Sequence, residues 1–307
     1  MSRRTEWVMH IWGSKREKLE LLDVEKFHID MLKKYQDEQK KFDKILVNIA
    51  LDDINDIELF NFLKEEVGKA LVCDDVEFKY CQNNPKLCEY VTFRPYVFDR
   101  MGESVDIFYS HFKGRCSFVN IFRESFPKRV CYLSELFWSY CMYHESLNVD
   151  EVKKVLDDKA VYCWFYLNGG LCESGMKYVE DMVNAVVNNY PVMKKYFSKD
   201  MYNNSPGSFC WYNMEYLGKI FSKKKEIINI SDEKLFVESS KSGTLTTHFC
   251  ELFIQLFLDD KYVYSVGDYN DAWKDMNLAY LYIYPSKKIC RHLLKEFDEY
   301  IINNKII

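Results

Sequence analysis

Long apolar runs and a surplus of positive charge are both missing from this sequence. The apolar stretch at residues 160–172 is too short for a membrane-crossing helix, which needs roughly 20 apolar residues. The formal net charge of the 307 residues is −5, so the chain lacks the overall positive charge of proteins that bind duplex nucleic acid. These absences argue against a transmembrane segment and against a nucleic-acid partner.

Paired cysteine motifs are also missing. The chain has 11 cysteines, an odd number, and no two of them are spaced as Cys-x-x-Cys, so neither a zinc ribbon nor a disulfide framework is indicated. The apolar run within residues 1–13 is too brief for a signal-peptide core. We therefore expect reduced, buried thiols and a cytoplasmic location.

Strand-like and helix-like segments alternate along the first third of the chain. Strands are predicted at residues 7–12, 44–51, 76–81 and 107–111. Helical periodicity lies between them, and residues 89–101 and 133–145 are also expected to be helical. Such alternation predicts an α/β fold, an open mixed sheet with a Rossmann-like N-terminal half flanked by helices.

Domain organisation is predicted to be simple. With 48% hydrophobic residues, and neither a repeat nor a linker, residues 1–307 are expected to form a single domain. Residues 1–115 would form the half that binds a nucleotide, and residues 116–307 a second half that ends in helices.

The fourth predicted strand ends in positive charge. Its sequence, DIFYSHFKGR, passes from apolar residues to His111, Lys113, Gly114 and Arg115. If this strand is central, its end faces the ligand crevice of an open α/β sheet, where cations can hold a pyrophosphate. If it lies at an edge, the same residues form a solvated turn. The pattern leaves both interpretations open.

Three blocks of sequence resemble a known family. NNPKLCEYVTF (83–93) and DIFYSHFKG (106–114) resemble the Asn…Glu-x-x-Thr-Phe…Tyr-x-His-x-Lys-Gly pattern of bacterial glycosyltransferases from capsular and surface-polysaccharide clusters. Residues 134–170 resemble the helix, linker and strand that follow in that family. SPGSFCWYNMEYL (205–217) resembles its His-Phe-Ser-Gly-Asn-Phe-Trp-Trp segment, but Pro206, Ser208 and Cys210 depart from it.

This resemblance implies a GT-A-like fold with a nucleotide-diphosphate sugar at the ends of the first strands. Most GT-A enzymes carry a metal-binding Asp-x-Asp motif there, whereas this chain has Ser110-His111-Phe112-Lys113. Because no carboxylate is present, we expect Lys113 and His111 to stabilise the departing diphosphate without a metal. No cofactor is then required, and use of Mg²⁺ or Mn²⁺ is the alternative.

The remaining site residues follow from the resemblance and from strand ends. Those expected to bind the nucleotide sugar are His10, Asp53, Asn84, Glu89, Thr92 and Gly114. Those expected to bind the acceptor are Gly207, Ser208, Phe209, Trp211 and His248. Glu251, on the same predicted helical edge as His248, is the candidate general base.

Each candidate has a structural alternative. Glu251 could complement a helix dipole, Asp53 could be a turn residue and His10 a satisfied core histidine. Glu89 could cap the following helix, and aromatic residues at the spacing of Phe209 and Trp211 are usually core.

The function predicted from the sequence is transfer of a sugar from a nucleotide-diphosphate donor to a glycan, in bacterial surface or capsular polysaccharide synthesis. The acceptor is expected to be a lipid-linked glycan, because the basic segment KKKEII (223–228) could contact an anionic membrane surface at the inner face. One alternative is a catalytically inactive relative that binds a glycan or a partner. A phosphoryl transferase is disfavoured because the phosphate-cradling glycine loop is absent.

Overall fold

The structure is a computed structural model of the chain. It describes residues 3–85, 87, 89–112, 128–166, 184, 187–188, 191–196, 209–223, 254, 258–268 and 291–304.

Strands of largely apolar sequence form one sheet within this part of the chain. They are β1 (Arg4–Gly13), β2 (Lys44–Leu51), β3 (Val76–Gln82), β4 (Val105–His111), β5 (Val161–Tyr166), β6 (Cys210–Asn213) and β7 (Val263–Asp268). Near-continuous apolar sequence is typical of strands that are covered on both faces. In β1, β2 and β4 nearly every residue is buried, so helices must cover both sides of the sheet there.

The sheet is mixed and mostly parallel. Its strand order is β3-β2-β1-β4-β6-β5-β7. Strands β1 to β4 are parallel, β6 runs antiparallel to both of its neighbours, and β5 pairs with β7 in parallel. The order 3-2-1-4 of the parallel strands is that of a Rossmann-like half, which confirms the predicted fold class.

Helices lie on both faces of the sheet. They are α1 (Asp23–Lys34), α2 (Gln36–Gln39), α3 (Ile57–Gly68), α4 (Tyr90–Tyr96), α5 (Lys128–Ser146), α6 (Val149–Leu156), α7 (Met214–Phe221) and α8 (Arg291–Asn303). Side chains at helix starts define two of these boundaries. Asp56 accepts a hydrogen bond from the Leu59 N–H before α3, and Asn213 accepts one from the Tyr216 N–H before α7.

Side chains alternate between two cores, one on each face. In β1, Trp7, Met9 and Ile11 pack into a cluster that also holds residues of α1, α3, α5, α6 and α8. Val8 packs into the other cluster, together with residues of α4 and α7. This alternation follows from the two-residue period of a strand, so the parity of a residue decides which face it joins.

The region around α4 departs from the predicted helix at residues 89–101. Helix α4 ends at Tyr96, and a short 3-10 helix, Phe98–Arg100, follows it. Pro95 has no backbone N–H to donate, and Val97 has non-helical angles, with φ −124° and ψ −67°. The backbone therefore turns here and leads directly into β4.

The cysteines agree in part with the expected buried thiols. Cys73, Cys81, Cys141, Cys163 and Cys210 carry thiols rather than disulfides, and the last three are buried in the two cores, whereas Cys73 and Cys81 are half-buried. The predicted division of the chain near residue 115 falls in the stretch 113–127, outside the described residues, and stays a prediction.

Candidate functional site

The sheet changes direction between β1 and β4. From β1 the chain builds outward through β2 and β3 on one side, and β4 then pairs with the other side of β1. Open α/β sheets bind ligands outside the carboxyl ends of the strands at such a switch point. The side chains at the ends of β1, β2 and β4 therefore decide what this fold can bind.

Three polar side chains stand in one row across these strands. His10 of β1 is the register partner of Asn48 in β2 and of His111 in β4. All three are at least 95% buried. By strand parity they share the face of Val8, Leu46 and Tyr109, which is the face covered by α4. We call His10, Asn48 and His111 the polar row.

Helix α4 supplies the partner of two members of the polar row. The Thr92 hydroxyl oxygen lies 2.7 Å from His10 Nδ1 and 2.7 Å from Asn48 Nδ2, and Thr92 is fully buried. Asn48 Nδ2 also donates to Cys81 Sγ of β3 at 3.3 Å. Thr92, predicted from the family pattern, therefore reaches the carboxyl end of β1 and β2.

The third member of the polar row contacts the residue just before α4. His111 Nε2 lies 3.2 Å from Glu89 Oε1, an ion pair when the imidazole is protonated. Glu89 makes no side-chain capping bond to α4, so its carboxylate is directed to His111 instead of serving as a cap. The Tyr109 hydroxyl donates to the Glu89 carbonyl oxygen at 3.3 Å, and the Phe93 and Tyr109 rings meet edge to face at 5.1 Å.

These contacts join two blocks that are separate in the sequence. The block with Glu89 and Thr92 and the block with Tyr109 and His111 pack against each other at the switch point. Asn84 lies just before the first block, where its carbonyl oxygen accepts from the Leu87 N–H at 2.9 Å in a turn.

Burial decides the charge of His10. Removal from water lowers the pKa of the His10 imidazole to about 3, because the charged form loses its hydration. His10 is therefore a neutral imidazole near neutral pH, and its contact with Thr92 is a hydrogen bond between uncharged groups.

Asp52, which was not among the predicted site residues, accepts hydrogen bonds from residues at the ends of β1 and β3. Its Oδ1 accepts from Trp12 Nε1 at 2.7 Å and from Asn83 Nδ2 at 2.9 Å, and its Oδ2 accepts from the Lys15 N–H at 3.2 Å. Asp53, the residue predicted to bind nucleotide, is exposed, and its Oδ1 accepts from the N–H and the amide of Asn55. Asp53 thus adopts the turn role, and contact with a nucleotide stays a prediction.

Sequence parity could have identified the missed residues. Asn48 is the only polar residue in the run ILVNIAL (45–51), and Asp52 has the same parity as Asn48. Residues of equal parity on one strand point to the same face. A polar residue inside an apolar strand was therefore the available signal.

The two aromatic residues proposed for the acceptor side lie in the core. Trp211 is fully buried, its ring stacks on Phe108 and Phe42 with centroids 5.1 and 5.3 Å away, and its Nε1 donates to the Ser146 carbonyl oxygen at 2.8 Å. Phe209 is 2% exposed and lies 5.7 Å from the His111 ring, centroid to centroid. Core packing, the alternative for both, is what the structure shows, with Phe209 supporting His111.

The other predicted site residues lie outside the described residues. They are Lys113, Gly114, Gly207, Ser208, His248 and Glu251. Their roles stay predictions. Within the described part of the chain, no group of three or more His, Cys, Asp or Glu side chains could hold a metal ion, and no helix is long and apolar enough to cross a membrane.

Comparisons with known proteins give a likeness in structure but none in sequence. No protein-family model and no curated protein sequence matches the chain. Among solved structures, the chain is similar to 4-diphosphocytidyl-2C-methyl-D-erythritol synthase from Anaerococcus prevotii DSM 20548, with a TM-score of 0.36 and 9% sequence identity over 88% of this chain and 91% of that one. A likeness at this level assigns neither a family nor an activity.

Proposed function

We propose that the chain is a glycosyltransferase that moves a sugar from a nucleotide-diphosphate donor to a glycan acceptor in bacterial surface or capsular polysaccharide synthesis. The observation that carries the proposal is the polar row with its partners Thr92 and Glu89, buried at the switch point of the sheet. Burial of polar groups is costly unless they are hydrogen-bonded, and these hydrogen-bonded groups lie on the strands beside which α/β folds bind nucleotides.

The row is suited to oxygen-rich ligands. His10 carries one N–H group, and His111, whose Nε2 faces Glu89, presents an N–H group at Nδ1 when its imidazole is protonated. N–H donors match the phosphate and hydroxyl oxygens of a nucleotide sugar. In the proposed reaction, the acceptor hydroxyl oxygen attacks the anomeric carbon of the sugar, and the bond from that carbon to the diphosphate oxygen breaks. Glu251 takes the hydroxyl proton, and Lys113 stabilises the charge on the departing nucleoside diphosphate.

The end of β4 supports a reaction without a divalent metal. Ser110 accepts a hydrogen bond from Trp7 Nε1 at 2.7 Å, and Phe112 stacks on His28 with ring centroids 4.5 Å apart, so both residues belong to the core. His111 alone of these three faces α4. Mg²⁺ and Mn²⁺ prefer carboxylate oxygens, and the carboxylate beside this strand end, that of Glu89, is directed to His111, so the histidine and the following Lys113 are better matched to the anion itself.

The acceptor is proposed to be a lipid-linked glycan at the cytoplasmic face of the membrane. The basis is the basic segment at residues 223–228, of which only Lys223 is described. Clustered lysines are attracted to anionic lipid headgroups.

Release of nucleoside diphosphate tests the proposed activity. Purified protein is incubated with a panel of nucleotide sugars and glycan acceptors, with EDTA or with Mn²⁺. We expect release in EDTA, a loss of at least about 100-fold in Lys113→Ala and Glu251→Gln, and no change in Lys69→Ala, an exposed lysine that follows α3.

Two outcomes would contradict the proposal. Tight binding of a nucleotide sugar or glycan without turnover across the panel would identify an inactive binding relative. Turnover that requires Mn²⁺ would contradict the metal-free site while leaving the transferase activity in place.

A further inference from the structure

A chain of hydrogen bonds runs through the polar row. It begins at Cys81 Sγ, passes through Asn48 Nδ2 and the Thr92 hydroxyl, and ends at His10 Nδ1, and the distances from Asn48 to Thr92 and from Thr92 to His10 are both 2.7 Å. These residues come from β3, β2, α4 and β1, so four elements hold the chain in place. Its members other than Cys81 are at least 95% buried.

The direction of each hydrogen bond follows from the atoms involved. The Asn48 amide nitrogen can only donate, so the Thr92 oxygen accepts from it. A hydroxyl oxygen can accept two hydrogen bonds, but His10 Nδ1 is the one acceptor for the Thr92 proton among the described residues, so that buried proton is satisfied when His10 Nδ1 accepts it. A neutral imidazole that accepts at Nδ1 carries its proton on Nε2.

The reverse direction, with His10 Nδ1 as the donor, would leave the buried Thr92 proton without an acceptor unless the Asn48 amide were rotated. That rotation would leave both N–H groups of Asn48 Nδ2 in the buried position where Oδ1 now lies, and Oδ1 has no hydrogen-bond partner among the described residues. Buried N–H groups without an acceptor are rarer in proteins than carbonyl oxygens without a donor. The observed orientation is therefore the better satisfied one.

We propose that Asn48 and Thr92 are positioning residues that fix His10 as the neutral tautomer with its proton on Nε2, so that His10 donates an uncharged hydrogen bond to a phosphate oxygen of the bound nucleotide. The identity of the ligand rests on the proposed function, whereas the tautomer does not. His10 keeps 5% of its surface exposed, and no partner of Nε2 lies among the described residues.

The surroundings of His10 support a donor that does not titrate near neutral pH. Burial lowers its pKa to about 3. The titratable groups of the elements packed around it are His111 on β4, Glu89 before α4, which contacts His111, and Cys81 on β3, which is reached through Asn48. No carboxylate contacts the His10 ring directly within the described residues, so its hydrogen-bond partner is a hydroxyl whereas that of His111 is a carboxylate.

Long-range ¹H–¹⁵N correlation spectra of histidine-labelled protein test the tautomer directly. These spectra distinguish an imidazole protonated at Nε2 from one protonated at Nδ1, and His10→Gln assigns the signal. We expect His10 to carry its proton on Nε2 and to show no titration from pH 5 to pH 8. Addition of UDP, GDP, CDP or ADP should shift the Nε2 proton for the nucleotide that binds.

Variants of Thr92 and Asn48, the two positioning residues, should change the tautomer of His10 in different ways. Thr92→Val removes the hydroxyl and should yield a mixture of tautomers, whereas Thr92→Ser retains it and should restore the Nε2 form. Asn48→Asp at pH 8 places an acceptor beside Thr92, so the Thr92 proton turns away and His10 becomes protonated on Nδ1. Thr5→Val, a buried hydroxyl removed at the amino end of β1, and the exposed substitution Asn303→Asp are the matched controls and should leave the His10 signal unchanged.

The outcomes separate this inference from the proposed function. Protonation of His10 on Nδ1, titration between pH 5 and pH 8, or the same tautomer in Thr92→Val and Asn48→Asp as in the unchanged protein would overturn the positioning role. If the tautomer is as expected but none of the four nucleotides shifts it, the positioning role stands and the nucleotide assignment is overturned.

Discussion

At the scale of single residues, the polar row is the feature that ordinary core packing does not explain. Asn48 and His10 lie in strands whose other residues are almost all buried, and the other residues of ILVNIAL (45–51) in β2 are apolar. Replacing both partners of a buried hydrogen bond by apolar groups of the same shape can be nearly neutral or stabilising, so such groups are not required for the fold alone. Their position on adjacent strands, three residues before the carboxyl ends of β1 and β2, favours a binding role.

The buried neutral His10 makes the stability of the protein depend on pH. In the unfolded chain an imidazole binds a proton below about pH 6.5, whereas in the folded chain the pKa of His10 is about 3. Between these values the unfolded state binds more protons, so the stabilisation is complete above pH 6.5 and is lost as the pH falls towards 3.

We expect His10→Gln to remove this dependence. Urea unfolding of both proteins at pH 4, 5, 6 and 7 should show that the unchanged protein loses stability relative to the variant by about 1.4 kcal/mol per pH unit below pH 6. Since other titrating groups are common to both proteins, they cancel in the difference. Parallel curves for the two proteins would show that His10 is accessible to protons in the folded state.

The sequence identified some of these residues and missed others for a physical reason. Glu89, Thr92 and His111 could be named because they stand at fixed spacings in short blocks. Asn48 and Asp52 belong to the site through strand pairing and through contacts with α4 and β1, which are separated from them by about 40 residues. A local sequence pattern does not show contacts between residues that are so far apart in the chain.

At the scale of elements, the approach of α7 to the loop before β4 depends on two glycines. Gly102 has a φ of 100°, and its N–H donates to the Met214 carbonyl oxygen at 2.8 Å. One turn further along α7, a Cβ on Gly218 would lie 2.4 Å from Gly102 Cα and 2.6 Å from its nitrogen. Helix α7 can therefore lie against this backbone only because Gly218 has no side chain.

Substitution of glycine by alanine should have opposite effects in two helices. Gly218→Ala should destabilise the protein by about 1–3 kcal/mol, because the added methyl meets backbone that cannot move aside easily. Gly68→Ala, at the end of α3, places its methyl 3.8 Å from Phe78 and should be neutral or stabilising by up to about 1 kcal/mol.

Thermal and urea unfolding of the two variants measure the difference. Because alanine is the better helix former, a stabilised Gly218→Ala would mean that α7 does not approach Gly102 as closely as the structure indicates.

Strands with long apolar runs could be predicted from the sequence, whereas the short elements α6, α7 and β7 could not. The prediction of a strand at residues 44–51 agrees with β2, whose bounds are the same, and that at 107–111 lies within β4. Helices α6 and α7 have eight residues each, and α7 contains Gly218, so propensity alone gives weak signals for them. Strand β7 was missed because its interior, YSVG, has only one strongly apolar residue.

At the scale of the whole molecule, strand order was beyond the reach of the sequence. The parallel half could be inferred from alternating strands and helices. The insertion of the antiparallel β6 between β4 and β5, however, depends on pairing between segments about 50 and 100 residues apart. This pairing places Phe209 beside His111, and so the second half of the chain completes the surroundings of the polar row.

Calorimetric titration of UDP, GDP, CDP and ADP into the protein in the presence of EDTA tests most directly whether a nucleotide binds at the ends of β1 and β4. We expect at least one of them to bind without metal and His111→Ala to weaken binding by about tenfold or more. His144→Ala, the same change on α5 away from the switch point, should leave binding unchanged. Absence of binding by all four nucleotides, or equal affinity in His111→Ala and the unchanged protein, would contradict a nucleotide site at the ends of β1 and β4.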